Sequence, residues 1–316
     1  MSTIEEQIRD AERRLFARHD VSMAEHLLDL KVGGSALRVR VLEVGSGLPV
    51  VLLHPGTLFA AHWAPMLPHI PNRRLLCIDF PGHGLSSGVD YRKHNPRDHT
   101  VAMLRQLLPE LGLGAVPMVG NSLGGISALW LAVDEPSLVS HLVILGVPGV
   151  ALRGGGPNFL LALLGLPGIS RLLLSLPSSP NLSRSLLKAP LGGAAWAQTP
   201  QEVFEIHHLT SRRSEFAPTL STFIGSLVRW RTPRPRMALS DSELAGIQQP
   251  VRFLWGDNDM FGGPEVAERA AELMPDAAVE VYRGGHHLQL DYPERVGKFV
   301  SEFLMARTLA REDALS

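Results

Sequence analysis

Three short segments of this chain carry side chains that could attack a carbonyl or move protons. The first is VGNSLGG, residues 119–125, in which Gly120 and Gly124 flank Ser122 as Gly-x-Ser-x-Gly. A serine hydroxyl is a poor nucleophile until a base takes its proton. The base in turn must be held by an acidic group. WGDNDMFGGPE, residues 255–265, offers Asp257 and Asp259, and GGHHLQLDYPE, residues 284–294, offers His286 and His287. Histidine is the side chain best placed to move protons near neutral pH. Residue type alone leaves both choices open, Asp257 or Asp259 and His286 or His287. Acyl-transfer chemistry also needs donors for an oxyanion. One is expected to be the backbone N–H of Leu123, just after the serine. The other is expected in HPGTLF, residues 54–59. Pro55 has no N–H, so Gly56 or Thr57 must serve.

These segments need elements to bring them together. Residues 36–44, ALRVRVLEV, alternate apolar and charged side chains, which predicts a half-buried strand. Residues 49–54, 74–80, 115–121, 141–147 and 251–256 are short apolar runs, three of them ending in His, Asn or Gly, and 278–283 alternate again. Such runs suit strands buried on both faces of a parallel sheet. Helical spacing appears at 3–18, 97–111, 123–135, 265–274 and 293–307. Strands alternating with helices predict an open, mainly parallel α/β sheet. Ser122 then sits where a strand turns sharply into a helix, a strained position that usually marks function. All three segments leave C-terminal strand ends, in the order nucleophile, acid, base. No strand signal appears from 148 to 249, which is rich in Leu, Ser, Pro and Gly. So long a stretch is not a bare loop in a compact fold. Helical patches at 158–166, 169–174, 200–208 and 218–230 predict a helical insertion over the sheet edge. The domain reading is an N-terminal amphipathic helix over 1–25, a core over 26–147 and 250–316, and the insertion over 148–249.

Together these motifs resemble the α/β-hydrolase superfamily over about residues 37–304. VVLLHPG resembles its oxyanion loop, CIDFPGHGLSS its Asp-x-Pro-Gly-x-Gly-x-Ser segment, and VGNSLGG its nucleophile elbow. The resemblance implies the α/β-hydrolase fold: a mainly parallel central sheet flanked by helices, with a helical cap inserted after the sixth strand. The family's Gly-x-x-Asp acid pattern maps onto Gly256 and Asp259, which leaves Asp257 as a solvated loop residue. Its histidine pattern maps onto Gly285, His286, Asp291 and Pro293. The implied triad is Ser122, Asp259 and His286. The chain departs from the family at Pro55, where many members have Gly. Relatives that use an Asp nucleophile or cap tyrosines are set aside, since Ser122 is the nucleophile and Tyr91, Tyr282 and Tyr292 lie outside the insertion.

The expected activity is hydrolysis of a carboxylic ester, lactone or thioester through an acyl-enzyme, with no metal or organic cofactor. The alternative is carbon–carbon bond hydrolysis of vinylogous diketone acids, suggested by GNSLGG, with Arg184, Arg212 and Arg213 as candidate cap arginines. Those hydrolases typically carry Trp where this chain has His287. His287 is therefore expected to bear on substrate choice, and His54 is the other expected substrate-binding residue. A cofactor-free perhydrolase and a non-catalytic receptor are lesser readings. The leucines at 160–174 would suit a hydrophobic substrate, though they would equally pack a lid onto the core.

The bulk numbers fit a small-molecule enzyme. Apolar residues make up 45% of 316, enough for a sizeable core, and the net charge of -1 gives no field to recruit nucleic acid or an anionic membrane. The lone Cys77 sits in an apolar run and reads as core. His207 and His208 adjoin without a Cys or Glu ligand pattern, so no metal site is expected. The charged N-terminus does not read as a signal peptide. The apolar run at 158–176 is interrupted by Pro-Gly and Arg171, so two short helices are expected rather than a membrane span. The reading is a cytoplasmic protein.

Overall fold

The computed structural model describes residues 2–155, 179–229 and 232–313. The helical patches expected at 158–166 and 169–174, and their leucines, lie outside the described residues. Eight strands form one sheet in the order β1-β2-β4-β3-β5-β6-β9-β10. They are β1 (Met23–Val32), β2 (Ser35–Val44), β3 (Leu48–Leu53), β4 (Arg73–Asp79), β5 (Val116–Asn121), β6 (Val139–Leu145), β9 (Val251–Gly256) and β10 (Ala277–Tyr282). From β4 to β10 every pairing is parallel. β1 and β2 are antiparallel to each other, and β2 is antiparallel to β4. The inner parallel strands bury both faces, which explains their near-continuous apolar content, whereas β10 at the edge buries only Tyr282.

β1 was not expected. It joins β2 through Gly33 and Gly34, both at positive φ (58° and 83°), which makes a tight two-residue hairpin turn. Its burial alternates only from Leu27 onwards, with Leu27, Asp29 and Lys31 exposed and Leu30 and Val32 buried, while Glu25 and His26 are both half-buried. As an edge strand it meets solvent on much of its surface, so its hydrophobic signal is weak.

Helices cover both faces of the sheet. α1 (Ile4–Arg18) starts with a capping box between Thr3 and Glu6 and buries Ile8, Ala11 and Leu15. It packs on the body of the chain. Its Glu12 meets Arg40 of β2 at 2.5 Å, both fully buried, and Arg40 also reaches Glu25 and Asp79. α2 (Pro96–Glu110) and α3 (Leu123–Asp134) follow β4 and β5. Between β6 and β9 the described residues form α4 (Pro180–Leu186), α5 (Lys188–Leu191), α6 (Gly193–Gln198), α7 (Gln201–Ser211), α8 (Phe216–Leu227) and α9 (Asp241–Gly246). The segment also contains a short antiparallel pair, β7 (Val228–Arg229) with β8 (Thr232–Pro233), where only helices were expected. Two-residue strands bury too little to leave a periodic signal. The chain ends with α10 (Glu265–Leu273), α11 (Leu288–Asp291) and α12 (Pro293–Asp313).

α8 sits on the segment after β4. Thr219 Oγ1 accepts from Val89 N–H at 3.0 Å and Thr222 Oγ1 from Tyr91 N–H at 3.2 Å. α1 reaches the same insertion through Arg14–Glu205 and Arg18–Glu202, at 2.7 and 2.8 Å. Among the described residues, no helix is long and apolar enough to cross a membrane.

Candidate active site

Ser122 follows β5 and caps α3 with φ 52° and ψ -108°. A non-glycine residue held at positive φ costs about 1–3 kcal/mol and persists only when its surroundings impose it. The two glycines of the motif are imposed by close approach. A Cβ on Gly124 would lie 1.9 Å from the Leu53 carbonyl oxygen, and one on Gly120 would lie 2.5 Å from that of Gly124. The turn therefore packs directly against β3, and Leu123 opens α3 with its N–H at the positive helix end.

Asp259 lies after β9 and His286 after β10. His286 Nδ1–H donates to Asp259 Oδ2 at 2.7 Å, with both side chains buried. Asp259 Oδ2 also accepts from Val147 N–H at 2.9 Å, and Oδ1 from Phe261 N–H at 2.9 Å. Three donors thus fix the carboxylate. Gly146 makes room for it at φ 61°, since a Cβ there would come within 2.8 Å of Asp259 Oδ2 and 3.0 Å of His286 Nδ1. With Nδ1 committed to Asp259, the free ring nitrogen of His286 is Nε2, which is buried with no hydrogen-bond partner among the described residues. The Phe261 ring stands edge-on to His286 at 4.6 Å. Asp257 is exposed. Its Oδ1 accepts from Gly284 N–H at 3.0 Å, tying the acid loop to the histidine loop.

Asn121, just before Ser122, draws the strand ends together. Its Nδ2 donates to the Leu145 carbonyl at 2.6 Å and the His286 carbonyl at 3.0 Å. Its Oδ1 accepts from His287 Nδ1–H at 2.8 Å and Gln289 Nε2 at 3.1 Å. Gln289 in turn reaches His62 Nε2 at 3.2 Å. His287 is therefore buried within a polar network beside His286, its ring 4.9 Å away. Burial holds its pKa well below the usual histidine value, with the neighbouring His286 adding to the effect.

Gly56 and Thr57 form the turn after β3, closed by Leu58 N–H donating to the Pro55 carbonyl at 3.1 Å. A Cβ on Gly56 would lie 3.8 Å from both Leu123 and Leu220 of α8. The two expected oxyanion segments thus lie side by side under an apolar cap side chain. His54 was expected at the substrate, but the structure buries it completely. Its Nδ1–H donates to the Pro55 carbonyl at 2.8 Å, and its Nε2 accepts from Phe80 N–H at 3.0 Å. No ring nitrogen remains for a ligand, so we assign it to holding the loop.

Two of the three candidate cap arginines have partners. Arg213 Nη1 donates to the Gly84 carbonyl at 2.6 Å and that of Ser86 at 3.1 Å. The Arg184 guanidinium lies 5.0 Å from the Trp196 ring and 4.9 Å from the Phe204 ring, and Arg212 is exposed. Among the described residues, no group of three or more His, Cys, Asp or Glu could hold a metal ion.

Sequence reading missed Gly146, Val147, Phe261, Asn121 and Gln289. Gly146 could have been found as the glycine directly after a buried strand. The contributions of Val147 and Phe261 are backbone N–H groups, which residue type does not reveal.

A parallel α/β sheet with Ser, Asp and His at its C-terminal edge defines a hydrolase-type architecture. The alpha/beta hydrolase family matches residues 50–298, and the chain belongs to that family. It is a hydrolase. A 2-hydroxy-6-oxononadienedioate/2-hydroxy-6-oxononatrienedioate hydrolase of Burkholderia vietnamiensis is 29% identical over 90% of this chain and 97% of its own. A 2-hydroxy-6-oxo-2,4-heptadienoate hydrolase of Pseudomonas putida is 28% identical over 84% of this chain and 91% of its own. The crystal structure of carboxylesterase CesB from Bacillus subtilis superposes with a TM-score of 0.74 at 19% identity, covering 95% of this chain and 98% of that one. At that identity the last comparison speaks for the fold.

Proposed function

We propose that this protein hydrolyses a carbon–carbon bond beside a carbonyl in a small conjugated diketone, using Ser122, His286 and Asp259. The observation that carries this is the buried His286–Asp259 pair at 2.7 Å, in a chain akin over nine-tenths of its length to hydrolases of 2-hydroxy-6-oxo dienoates. The sequence alone placed esters first; the relatives reverse that order. Ser122 Oγ attacks the carbonyl as His286 Nε2 takes its proton. Asp259 holds the opposite ring nitrogen and stabilises the imidazolium. The N–H of Leu123 and one from Gly56 or Thr57 hold the oxyanion. The carbon–carbon bond then breaks. Its electron pair delocalises onto the vinylogous ketone, and a proton returns to carbon. Water, activated by His286, releases the acid from Ser122. The substrate is a hydrophobic small molecule, since Leu220 borders the oxyanion loop and Phe261 borders His286.

Ester hydrolysis is the second reading, in which His286 protonates a leaving alkoxide. One observation favours it: Arg213 and Arg184 have other partners, so neither is placed to read a substrate carboxylate. The two readings separate in one assay. Purified protein and Ser122→Ala are given p-nitrophenyl esters of graded chain length and a vinylogous diketone acid. We expect the diketone acid to be cleaved with the higher kcat/KM, and both activities to vanish in Ser122→Ala. Ester turnover alone would promote the second reading, and turnover surviving Ser122→Ala would remove both.

A further inference from the structure

The N-terminal helix α1 is bonded to both the core and the cap. Towards the core, Glu12 is fully buried against Arg40 of β2 at 2.5 Å, and Arg40 also meets Asp79 at 3.2 Å. Asp79 Oδ1 in turn accepts from Ala60 N–H at 2.7 Å. The apolar stripe Ile8, Ala11, Leu15 and Phe16 shares one buried cluster with Phe59 and Trp63, in the segment that follows Gly56 and Thr57.

Val203, Ile206 and Leu209 of the cap helix α7 belong to the same cluster. Arg14 and Arg18, one turn apart on α1, each hold a carboxylate of α7. Arg14 Nη2 donates to both oxygens of Glu205 at 2.7 Å, and Arg18 donates to Glu202 through Nη2 at 2.8 Å and Nε at 3.2 Å. The other end of α7 is held by the core itself. Arg213, two residues beyond the helix, donates to the Gly84 and Ser86 carbonyls. Movement of α7 would reach the site through α8. His207 of α7 stands edge-on to Phe216 of α8 at 6.4 Å, and Phe216 stands edge-on to His83 at 5.3 Å. His83 Nε2 lies 2.8 Å from the Gly56 carbonyl oxygen, and Leu220 of α8 borders Gly56 directly.

We infer that α1 is a strap that sets how the cap seats over the site, with Arg14 and Arg18 as positioning residues for the substrate pocket. Apolar contact is non-directional, so the shared cluster alone would let α7 slide along α1. Two carboxylates, each gripped through both oxygens or two nitrogens, add the directional contacts that fix its register. A cap out of register would shift Phe216 and Leu220 over the Gly56 turn. That would weaken substrate binding while leaving His286 on Asp259. The inference goes beyond the serine chemistry proposed above and holds for whichever substrate the site turns over.

The side chains of Arg14 and Arg18 are 52% and 54% exposed, so they can be reversed in charge without disturbing the core. The test compares the full chain carrying Arg14→Glu and Arg18→Glu with a quadruple variant that adds Glu202→Arg and Glu205→Arg and so restores both pairs in reverse. Amide hydrogen exchange is followed over residues 201–211 and over β5 and β6, and KM and kcat are measured on the substrate that wild type turns over best. In the double variant we expect exchange in α7 to speed up about tenfold while β5 and β6 stay at wild type. KM should rise about threefold to tenfold with kcat within about twofold of wild type. The quadruple variant should bring both readouts back towards wild type. Wild-type exchange and KM in the double variant overturn the inference. So does a speed-up shared equally by β5 and β6, which would make α1 a general brace, and so does a quadruple variant that rescues neither readout. If the double variant does not fold, Arg14→Gln with Arg18→Gln decides by the same two readouts. Ser122→Ala keeps the two proposals apart. Turnover that survives it removes the serine mechanism, whereas the strap is read from α7 exchange, which needs no turnover.

Discussion

The two acidic residues of the loop after β9 differ in what surrounds them rather than in type. Asp259 is buried and accepts from His286, Val147 and Phe261, whereas Asp257 is exposed and braces Gly284. An amide at 259 would offer a donor to the imidazole in one orientation and disturb its tautomer. Asp259→Asn is expected to lower kcat by about 10⁴-fold, as when the acid of a serine triad becomes an amide. Asp257→Asn should stay within about threefold, because a solvated loop contact is worth little. Steady-state kinetics on both variants checks this, and a larger loss at Asp257 would show the acid to be misassigned. The two aspartates lie two residues apart in one loop, so spacing could not separate them without the family pattern. The same holds for His286 and His287. One reaches Asp259, the other Asn121, and only the tertiary structure sets that.

At the scale of elements, the site depends on strand ends being held in register. Asn121 does this by bonding β6, the His286 loop, His287 and Gln289 at once. Replacing it by Leu would leave two buried carbonyls and the His287 donor short of a partner. A loss of roughly 2–4 kcal/mol in urea unfolding is expected, together with a drop in kcat as the His286 loop loosens. A variant as stable as wild type would show that the network adds nothing. The buried strands were legible because parallel strands covered on both faces read as unbroken apolar runs. β1 was not, because an edge strand buries only part of one face. Its Gly33-Gly34 turn was nevertheless in plain view. The cap helices α7 and α8 were anticipated as patches at 200–208 and 218–230, close to their observed bounds. The docking of α8 through Thr219 and Thr222 was not, since it rests on side chains meeting backbone about 130 residues away.

Across the whole molecule, several histidines are buried in neutral form, and this sets how stability responds to acid. Burial pushes His62 down to about 3 and His207 down to about 4. It does the same for His99, to about 4, with His94 nearby adding to the effect. An unfolded histidine titrates near 6.5. Between these values and 6.5 the unfolded chain binds protons that the folded chain refuses. Stability is therefore full above pH 6.5 and falls as the pH drops towards 4. Thermal melts from pH 7.5 to 4.5 should show Tm falling through this window, and His99→Phe should make the fall shallower. A Tm flat across it would contradict the burial of these rings. The same scale explains α1. Its buried Glu12 joins Arg40 of the core, while Arg14 and Arg18 reach the cap helix α7. Amphipathic spacing announced the helix but not the face it would cover.

By itself the sequence determined the class of chemistry: a serine on a glycine-flanked turn, an acid loop and a histidine loop, in order, each after a strand. These are local patterns, written in residues close together along the chain, and the chemistry of a hydroxyl or an imidazole travels with the residue. The tertiary structure decided which carboxylate meets which imidazole. It decided that His54 braces a loop and that Arg184 and Arg213 have other partners. Those outcomes depend on distances between segments tens to hundreds of residues apart, and on backbone groups that every residue carries alike.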